Sequence, residues 1–471
     1  MTNLKDKINS FLEKLYQQSF KSKAANTAVF LFFFATFTNM AREIYRRILA
    51  KGLIPYDGYD WSKNLKYLST IKEAFETKTL PWFTVEFFQG SQSFLANPEV
   101  TFTPLTPFIH YFKTPGNFDH INTVFILFIG FLGTLLLKRQ FKLNWLSYAI
   151  LFLLFFFNGQ IIARMHRGHL MWYGYFLLPY LYCFFENLRL SPKKFTIHDL
   201  YLVFTLSVLI FFGSLHILLI FTLFYMLYAL FNKFCPKKVL VSYGLLAGLS
   251  AIRTIPAVFE FLGKRKDGNF LHPFRSIDQL FHGLLVAEKP SYHNPWGGEW
   301  VEHNFYIGFI GFGFLLYFVY RHRNEAYIKN YFLPFIVLTL ISIGPIYKLV
   351  QSLHIPVYSG IRVSTRFLTI PLIFFIFQAV RSFEDHQKTF KAKVPYFILG
   401  SIGLYLLKSD LYSHAKLYFL DRSSRPLGFL SGNLLDKPST YDNLFYFSSY
   451  TTGFSLLLMM LLIFRFRSKR S

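Results

Sequence analysis

Charged residues are scarce in this chain. Only 16% of its 471 residues are Asp, Glu, Lys or Arg, whereas 53% are hydrophobic and 21% aromatic. A soluble chain of this length could not hide so much apolar surface from water, so lipid is the expected solvent for most of it. The composition therefore predicts a polytopic membrane protein.

Cysteine and nucleotide-binding motifs are also scarce. The two cysteines, Cys183 and Cys235, lie in or beside apolar runs, which argues against a disulfide framework or a cysteine metal site. The glycine-rich stretch 308–313 lies inside an apolar run, where small residues serve helix packing rather than phosphate binding. A soluble nucleotide-sugar enzyme is therefore unsupported.

Acidic residues are half as numerous as basic ones, 25 against 50, which gives a formal net charge of +25. The basic residues stand in clusters between apolar runs, which is typical of cytoplasmic loops rather than of a nucleic-acid surface. We therefore expect no nucleic-acid partner, and we place both termini in the cytoplasm. The clusters lie at 138–142, 192–194, 236–238, 321–323 and 465–470.

The apolar runs predict an all-α polytopic membrane protein with about twelve transmembrane helices, since a helix needs about 20 residues to cross the hydrocarbon core. Some runs are shorter and would extend into flanking residues or tilt. The runs lie at 24–41, 119–137, 143–157, 170–187, 200–213, 214–231, 239–257, 304–320, 331–347, 367–381, 394–407 and 451–464.

Two kinds of segment complete this layout. Residues 1–24 carry an amphipathic helix on the cytoplasmic leaflet, and residues 25–471 form a single transmembrane domain with its long loops on the outer, non-cytoplasmic side. Loops longer than about 15 residues in a compact protein are usually functional, so we expect the working face there. The long outer loops are 42–118, 258–303, 348–366 and 408–450.

The first outer loop contains two aspartates, Asp57 and Asp60, just beyond the first apolar run. Desolvated carboxylates cost several kcal/mol, so such a pair is a functional hypothesis. A second interfacial helix follows, because Trp61, Leu65, Leu68, Ile71 and Phe75 recur at helical spacing. Two plainer interpretations stay open: Asp60 as the N-cap of that helix and Asp57 as a turn residue.

Short motifs in the outer segments resemble the GT-C superfamily of integral membrane glycosyltransferases, closest to its bacterial YfhO-like branch. The resemblance lies in the order and placement of the motifs over roughly the first 370 residues. Two departures stand out: two residues separate the aspartates, and the outer loops are too short for a large soluble domain. The motifs are 57–60 with 80–82, 97–104 with Pro107, 167–169 with 178–179, 213–216, 302–308 and 360–367.

The resemblance implies transfer of a sugar from a polyprenyl-phosphate donor to a lipid or glycan acceptor on the outer face. Such transfer needs a base for the acceptor hydroxyl; we expect Asp57 to be this base and Asp60 its helper. A divalent metal ion is a possible cofactor, and membrane lipids, the donor and the acceptor are the expected partners. The expected location is the bacterial inner (cytoplasmic) membrane.

Arginines suit the donor phosphate, because they bind it bidentately and stay charged in a low dielectric. Arg362 and Arg366 stand one helical turn apart at the outer end of a span, and Arg253 is a third candidate. Snorkelling of the arginines to lipid headgroups is the alternative. The remaining candidates for substrate binding are polar residues of the outer turns: Arg164, His166, Arg167, His169, His216 and Glu302.

Two rival functions stay open. A lipid or glycan transporter or flippase would place ionisable groups near the middle of the membrane and often shows inverted repeats. An O-antigen-type polymerase or ligase would depend on arginines and a histidine in late outer loops. For His216 a structural hydrogen bond, and for the loop tryptophans an interfacial anchor, are the simpler interpretations.

Overall fold

The structure is a computed structural model, and helices make up almost all of it. The residues that it describes are 7, 23–48, 60–78, 83–85, 91–93, 97, 99–191, 194–232, 236–261, 273–288, 300–352, 363–389, 393–419 and 440–468. Within these ranges the strands form one short antiparallel hairpin, β1 (Phe83–Val85) with β2 (Ser91–Ser93). The predicted fold class is confirmed in its coarse form, a helical protein.

The structure describes seventeen α-helices. In chain order they are α1 (Lys23–Ile48), α2 (Asp60–Glu76), α3 (Pro115–Gln140), α4 (Trp145–Phe156), α5 (Gly159–Arg167), α6 (Leu178–Arg189), α7 (Ile197–Phe211), α8 (Leu215–Phe231), α9 (Pro236–Leu249), α10 (Ala251–Phe261), α11 (Ile277–Leu285), α12 (Gly308–Arg321), α13 (Ala326–Ile341), α14 (Gly344–Ser352), α15 (Thr369–Thr389), α16 (Lys393–Lys416) and α17 (Thr440–Ser468). Short 3-10 helices span Thr106–Tyr111, Leu170–Leu177, Trp300–Glu302 and Ser364–Leu368.

Each of the twelve predicted apolar runs coincides with helix over most of its length. By length and composition, three of the described helical segments can cross a membrane, and up to five if each bent pair of helices is one span. The apolar helices α7, α8, α12 and α13 have 15, 17, 14 and 16 residues, fewer than the roughly 20 that a straight span needs. The figure of twelve spans stays a prediction.

The bent pair α4–α5 shows how a broken span satisfies its backbone. Asn158 sits at the 41° break: its side-chain oxygen accepts from the Ile161 amide at 3.3 Å, and its amide group donates to the Leu154 carbonyl at 2.8 Å and to the Tyr175 hydroxyl at 2.7 Å. Such satisfaction is obligatory where water is absent. The break also directs the polar α5 into the protein interior.

The core is built around α4 and α15. Every residue of α4 from Leu146 to Phe156 is buried, and α4 packs against α15 and α16. In contrast, α17 keeps most of its apolar surface exposed. A helix that is apolar all round belongs either in a core or in lipid, and the chain uses both solutions.

The helix ends that carry the predicted cytoplasmic basic clusters meet at one face of the bundle, here named the basic end. Glu186 of α6 pairs there with Arg189 and with Arg381 of α15, each at 3.0 Å. Lys238 of α9 pairs with Asp199 of α7 at 3.1 Å. The opposite helix ends meet around Glu302. The assignment of the basic end to the cytoplasm stays a prediction, and the predicted leaflet helix within 1–24 lies almost entirely outside the described residues.

The helix predicted after the aspartates is present as α2, and its apolar face packs onto the bundle. Trp61, Leu68 and Ile71 are buried. Phe75 is 43% exposed instead, because the last turn of α2 reaches the edge of the bundle, where the ring stacks on His110 with centroids 6.1 Å apart. The predicted helix is therefore present, with three of its five apolar positions buried against the bundle.

Gly168 gives the first prediction. It ends α5 with φ +74°, and a Cβ there would stand 2.5 Å from Trp61 Cδ2. Gly168→Ala adds about 1 kcal/mol of backbone strain and displaces the indole, so we expect a lower melting temperature in nanodiscs. Gly313→Ala in α12 is the control, since a Cβ there meets no described atom within 4 Å. Equal melting temperatures for the two variants would contradict this packing.

Candidate functional site

A buried ion-pair cluster occupies the end of the bundle opposite the basic end. Glu302 Oε2 lies 2.6 Å from Arg164 Nη1, and Glu302 Oε1 lies 2.8 Å from Arg366 Nη2. Arg366 Nε also donates to Glu302 Oε2 at 3.2 Å, so this arginine grips the carboxylate with two nitrogens. We name Glu302, Arg164 and Arg366 the Glu302 cluster.

Three separate elements present these side chains. Arg164 is on α5, Glu302 ends the 3-10 helix Trp300–Glu302, and Arg366 lies in the 3-10 helix Ser364–Leu368. Thr365 Oγ1 donates to the Glu302 carbonyl at 2.7 Å and so fastens the last two segments together. The three residues of the cluster lie far apart in the sequence, so they come together only when the bundle is folded.

The charges of the cluster do not cancel. Burial alone would raise the pKa of the Glu302 carboxyl, but Arg164 and Arg366 hold that pKa well below its ordinary value of 4.5. One carboxylate therefore faces two guanidinium groups, and Arg167, only 1% exposed, adds a further cation at the end of α5. This part of the bundle carries excess positive charge in a low-dielectric environment, which favours an anion.

Trp172 forms an aromatic wall beside the two arginines. The guanidinium carbons of Arg164 and Arg366 lie 4.8 and 6.0 Å from the Trp172 ring centroid, within the range of cation–π attraction. The imidazole of His216, in the first turn of α8, lies 4.5 Å from the same ring. His216 therefore belongs to this neighbourhood, although its ring contact fits a structural role as well as a binding one.

The partly exposed mouth of the site consists of Asp60, Lys63, Glu99 and His169, here named the rim. Asp60 Oδ2 lies 3.3 Å from His169 Nε2, and Asp60 Oδ1 lies 3.4 Å from Lys63 Nζ. Lys63 Nζ also lies 2.8 Å from Glu99 Oε2. The side chains of Asp60, Lys63 and Glu99 are each about one third exposed, so solvent and ligands can reach them.

The rim residues Asp60 and His169 have shifted pKa values. Burial raises the pKa of Asp60; the Lys63 ammonium opposes this shift, and the Glu99 carboxylate adds to it. Burial lowers the pKa of His169 well below 6.5, so its imidazole is neutral at pH 7 and its contact with Asp60 is not an ion pair. Asp60 is the first residue of α2, but its side-chain contacts also give it a place in the site.

The structure brings Asp60, His169, Glu302, Arg366 and Arg164 to one end of the bundle, as predicted for a shared site. His166 and Arg167 lie on the same α5 helix but contact other groups: the His166 ring packs edge-on against Tyr418 with centroids 5.6 Å apart, and its carbonyl accepts from Trp61 Nε1 at 3.1 Å. Asp57 and Arg362 lie outside the described residues, so their roles stay predictions.

Arg253 has a different environment from the other candidates. Its guanidinium donates to the carbonyls of Val100 at 2.8 Å, Asn97 at 2.7 Å and Phe211 at 3.1 Å and lies 5.0 Å from the Phe102 ring centroid. The 88° bend between α9 and α10 places it there. Two of these carbonyls belong to the segment that carries Glu99, and the third belongs to Phe211, the last residue of α7. A phosphate-binding role for Arg253 stays an untested prediction.

Sequence reasoning missed Lys63, Glu99 and Trp172. Lys63 lies three residues after Asp60, a spacing that allows a contact within one helical turn, but the apolar pattern that predicts α2 gives it no role. Glu99 lies in the motif 97–104, to which no chemical role was given. Only the fold shows that this motif approaches α2.

A metal ion is the remaining cofactor question. Among the described residues, no group of three or more His, Cys, Asp or Glu side chains is placed to hold a metal ion. Asp57, the predicted partner of Asp60, is outside this set. The expectation of a divalent ion therefore remains open.

Comparison with known proteins adds no assignment. No family model matches the chain, no curated protein matches it, and no solved structure matches it. What the fold defines is a class, a helical protein with three to five candidate membrane-spanning helices in the part of the chain that the structure describes. A function can therefore be proposed only from the site geometry and from the motifs in the sequence.

Glu302 gives the second prediction. Glu302→Gln leaves two buried guanidinium groups without their carboxylate, and breaking such a buried pair costs about 3–5 kcal/mol. Because its pKa is depressed, Glu302 contributes its full stabilisation above its ordinary value of 4.5 and loses it as pH falls below that value. The free energy of unfolding, measured by denaturant titration in micelles from pH 3 to 7, should fall with acid in the wild type and less steeply in the variant.

The matched control is Glu76→Gln at the other end of α2. Glu76 is exposed and pairs with Lys72 on the surface, so its removal should change the unfolding free energy by less than about 1 kcal/mol. A loss in Glu302→Gln no larger than in this control would mean that the cluster does not stabilise the fold.

Proposed function

We propose that this chain is a GT-C-like membrane glycosyltransferase, which moves a sugar from a polyprenyl-phosphate donor to a lipid or glycan acceptor on the non-cytoplasmic face. The observation that carries the proposal is the buried Glu302 cluster, with two arginines on one carboxylate beside a partly exposed rim. The reaction class comes from the motifs that resemble the GT-C superfamily, and the excess positive charge supports an anionic substrate.

The donor phosphate would bind at Arg366. This arginine keeps its side chain 16% exposed. Its Nε and Nη2 contact Glu302, whereas among the described residues Nη1 has only the weak acceptor Met171 Sδ at 3.8 Å, so Nη1 is the nitrogen that a phosphate would engage. Glu302 holds the fork in a fixed orientation before the donor arrives, which lowers the entropy lost on binding. Arg362, four residues earlier, is the second proposed phosphate ligand. The buried Arg164 adds positive electrostatic potential to the site.

The chemistry would take place between this cluster and the rim. The acceptor oxygen bonds to the anomeric carbon of the sugar while the bond from that carbon to the phosphate oxygen breaks. The proton of the acceptor hydroxyl passes to a carboxylate, and the phosphate leaves as an anion that needs no proton. Asp57 is the proposed base and Asp60, held by His169 and Lys63, its helper.

The rest of the layout supports a membrane-embedded enzyme. The apolar α-helices suit a lipid-linked donor, and the separation of the basic end from the Glu302 cluster suits a working face away from the cytoplasm. About twelve spans and the inner membrane of a bacterium remain part of the proposal. Membrane lipids, the donor and the acceptor are its partners.

The third prediction concerns Arg366. In nanodiscs, Arg366→Gln should weaken binding of a polyprenyl-phosphate sugar about 10- to 100-fold, because a charge-assisted bidentate contact contributes about 1.5–3 kcal/mol. Arg381→Gln is the matched control: Arg381 lies on the same helical segment and also pairs with a glutamate, Glu186, but at the basic end. Donor affinity should be unchanged in this control.

Sugar transfer by the same samples tests the reaction class. The wild type should transfer sugar from a lipid-phosphate donor, and Asp57→Asn should lose most of that activity while it retains donor binding. Loss of transfer with Arg366→Gln but not with Asp57→Asn would favour the polymerase or ligase alternative. Equal donor affinity in both arginine variants would contradict the proposed phosphate site.

A further inference from the structure

The turn that carries Glu99 is held in place by Arg253 of α10. The Arg253 guanidinium donates to the carbonyls of Asn97 and Val100, which flank Glu99, at 2.7 and 2.8 Å, and it is 5% exposed. Hydrogen bonds from a buried cation to backbone carbonyls are among the stronger ones in proteins. The backbone on both sides of Glu99 is therefore fixed from the α10 side.

The same turn is fixed to α2 from its other side. Asn97 Oδ1 accepts from the Glu99 amide at 3.0 Å, and Asn97 Nδ2 donates to the Tyr67 hydroxyl at 3.1 Å. Tyr67 lies one turn beyond Lys63 on α2, and its hydroxyl is 3.5 Å from Glu99 Oε2. These contacts aim the Glu99 carboxylate at Lys63.

Two distances then describe how the Lys63 ammonium is shared. It lies 2.8 Å from Glu99 Oε2, a full hydrogen-bonded ion pair, and 3.4 Å from Asp60 Oδ1, beyond a good hydrogen bond. Lys63 is thus bound more closely to Glu99 than to Asp60. Among the described residues Asp60 has two looser contacts, Lys63 at 3.4 Å and the neutral His169 imidazole at 3.3 Å.

We propose that Glu99 is a positioning residue of the transfer site, which keeps the Lys63 ammonium closer to itself than to Asp60, so that the Asp60 carboxylate is only partly neutralised and can accept from the acceptor hydroxyl. Arg253 acts one step further away, by holding the turn that carries Glu99. The inference rests on the proposed glycosyl transfer for its chemical meaning, but the electrostatic relation between Glu99 and Asp60 can be measured without it.

The charged and titratable groups around Asp60 determine the expected direction. Those that face it are Lys63 from α2, Glu99 from the turn, His169 after α5, Glu302 from its 3-10 helix and Arg366 before α15. Removal of the Glu99 charge takes away one anion and lets the Lys63 ammonium close on Asp60. Both changes favour the ionised carboxylate, so the pKa of Asp60 should fall.

The fourth prediction is a downward shift of the Asp60 titration in Glu99→Gln. Infrared spectroscopy of the protein in nanodiscs can follow the C=O stretch of the protonated Asp60 carboxyl, identified as the band that is lost in Asp60→Asn. Its midpoint should move to lower pH in Glu99→Gln and stay close to the wild-type midpoint in Glu99→Asp, which retains the charge. Arg253→Lys has one donor nitrogen in place of the two guanidinium nitrogens that contact the three carbonyls, so it should give a smaller downward shift.

Glu76→Gln is again the control, since it removes a carboxylate that pairs with Lys72 on the same helix, remote from Asp60. An Asp60 midpoint in Glu99→Gln that equals the one in Glu76→Gln, or lies above the wild-type midpoint, overturns the inference. If Glu99→Gln lowers the melting temperature but leaves the Asp60 midpoint unchanged, the inference is also overturned, because Glu99 would then only fasten the turn to α2.

Enzyme kinetics separate this inference from the proposed function. In Glu99→Gln the acidic limb of the kcat/KM profile should move to lower pH together with the infrared midpoint. We expect kcat at pH 7 to fall about tenfold, which is less than the roughly 100-fold or greater rate increase that a general base usually supplies. Donor affinity should not change, since Arg366 is intact. A midpoint shift in a protein without transfer activity would refute the enzyme proposal alone.

Discussion

Burial of the Glu302 carboxylate is the constraint on which the arrangement at this end of the bundle depends. A charge in a low-dielectric interior must be neutralised by close partners or it is expelled. Arg164 and Arg366 supply the neutralisation from two separate elements. The hydrogen bond from Thr365 to the Glu302 carbonyl joins the segment of Glu302 to the segment of Arg366. The cluster thus joins α5, the 300–302 segment and the start of α15, and it keeps one cation in excess.

The two ends of the bundle contain similar glutamate–arginine ion pairs, but the pairs have different surroundings. At the basic end Glu186 accepts from Arg189, Arg381 and the Tyr331 hydroxyl, so the carboxylate has all its partners within the protein. Around Glu302 the positive charge adjoins a rim with two carboxylates, Asp60 and Glu99. A gradient from an acidic mouth to a basic interior matches a substrate that carries a phosphate at one end and reacts with a hydroxyl at the other.

The helices were predictable because apolar runs are local signals, whereas the contacts of the site are not. The sequence correctly indicated that Asp60, His169, Glu302 and Arg366 belong at the same end, because each lies at the boundary of an apolar run. The apolar runs do not indicate which charged side chain pairs with which. Lys63 meets Glu99 only through the turn that Arg253 holds, and the direction of Arg253 follows from a helix break that hydropathy does not show.

The most direct measurement is the position of a bound donor. A cryo-EM map of the protein in nanodiscs with a non-hydrolysable polyprenyl-phosphate sugar would locate the phosphorus atom, which is the heaviest atom of that ligand. The account predicts phosphate oxygens within hydrogen-bond distance of the Arg366 guanidinium and the sugar between the Glu302 cluster and Asp60. A phosphate bound at the basic end, beside Arg381 and Glu186, would contradict it.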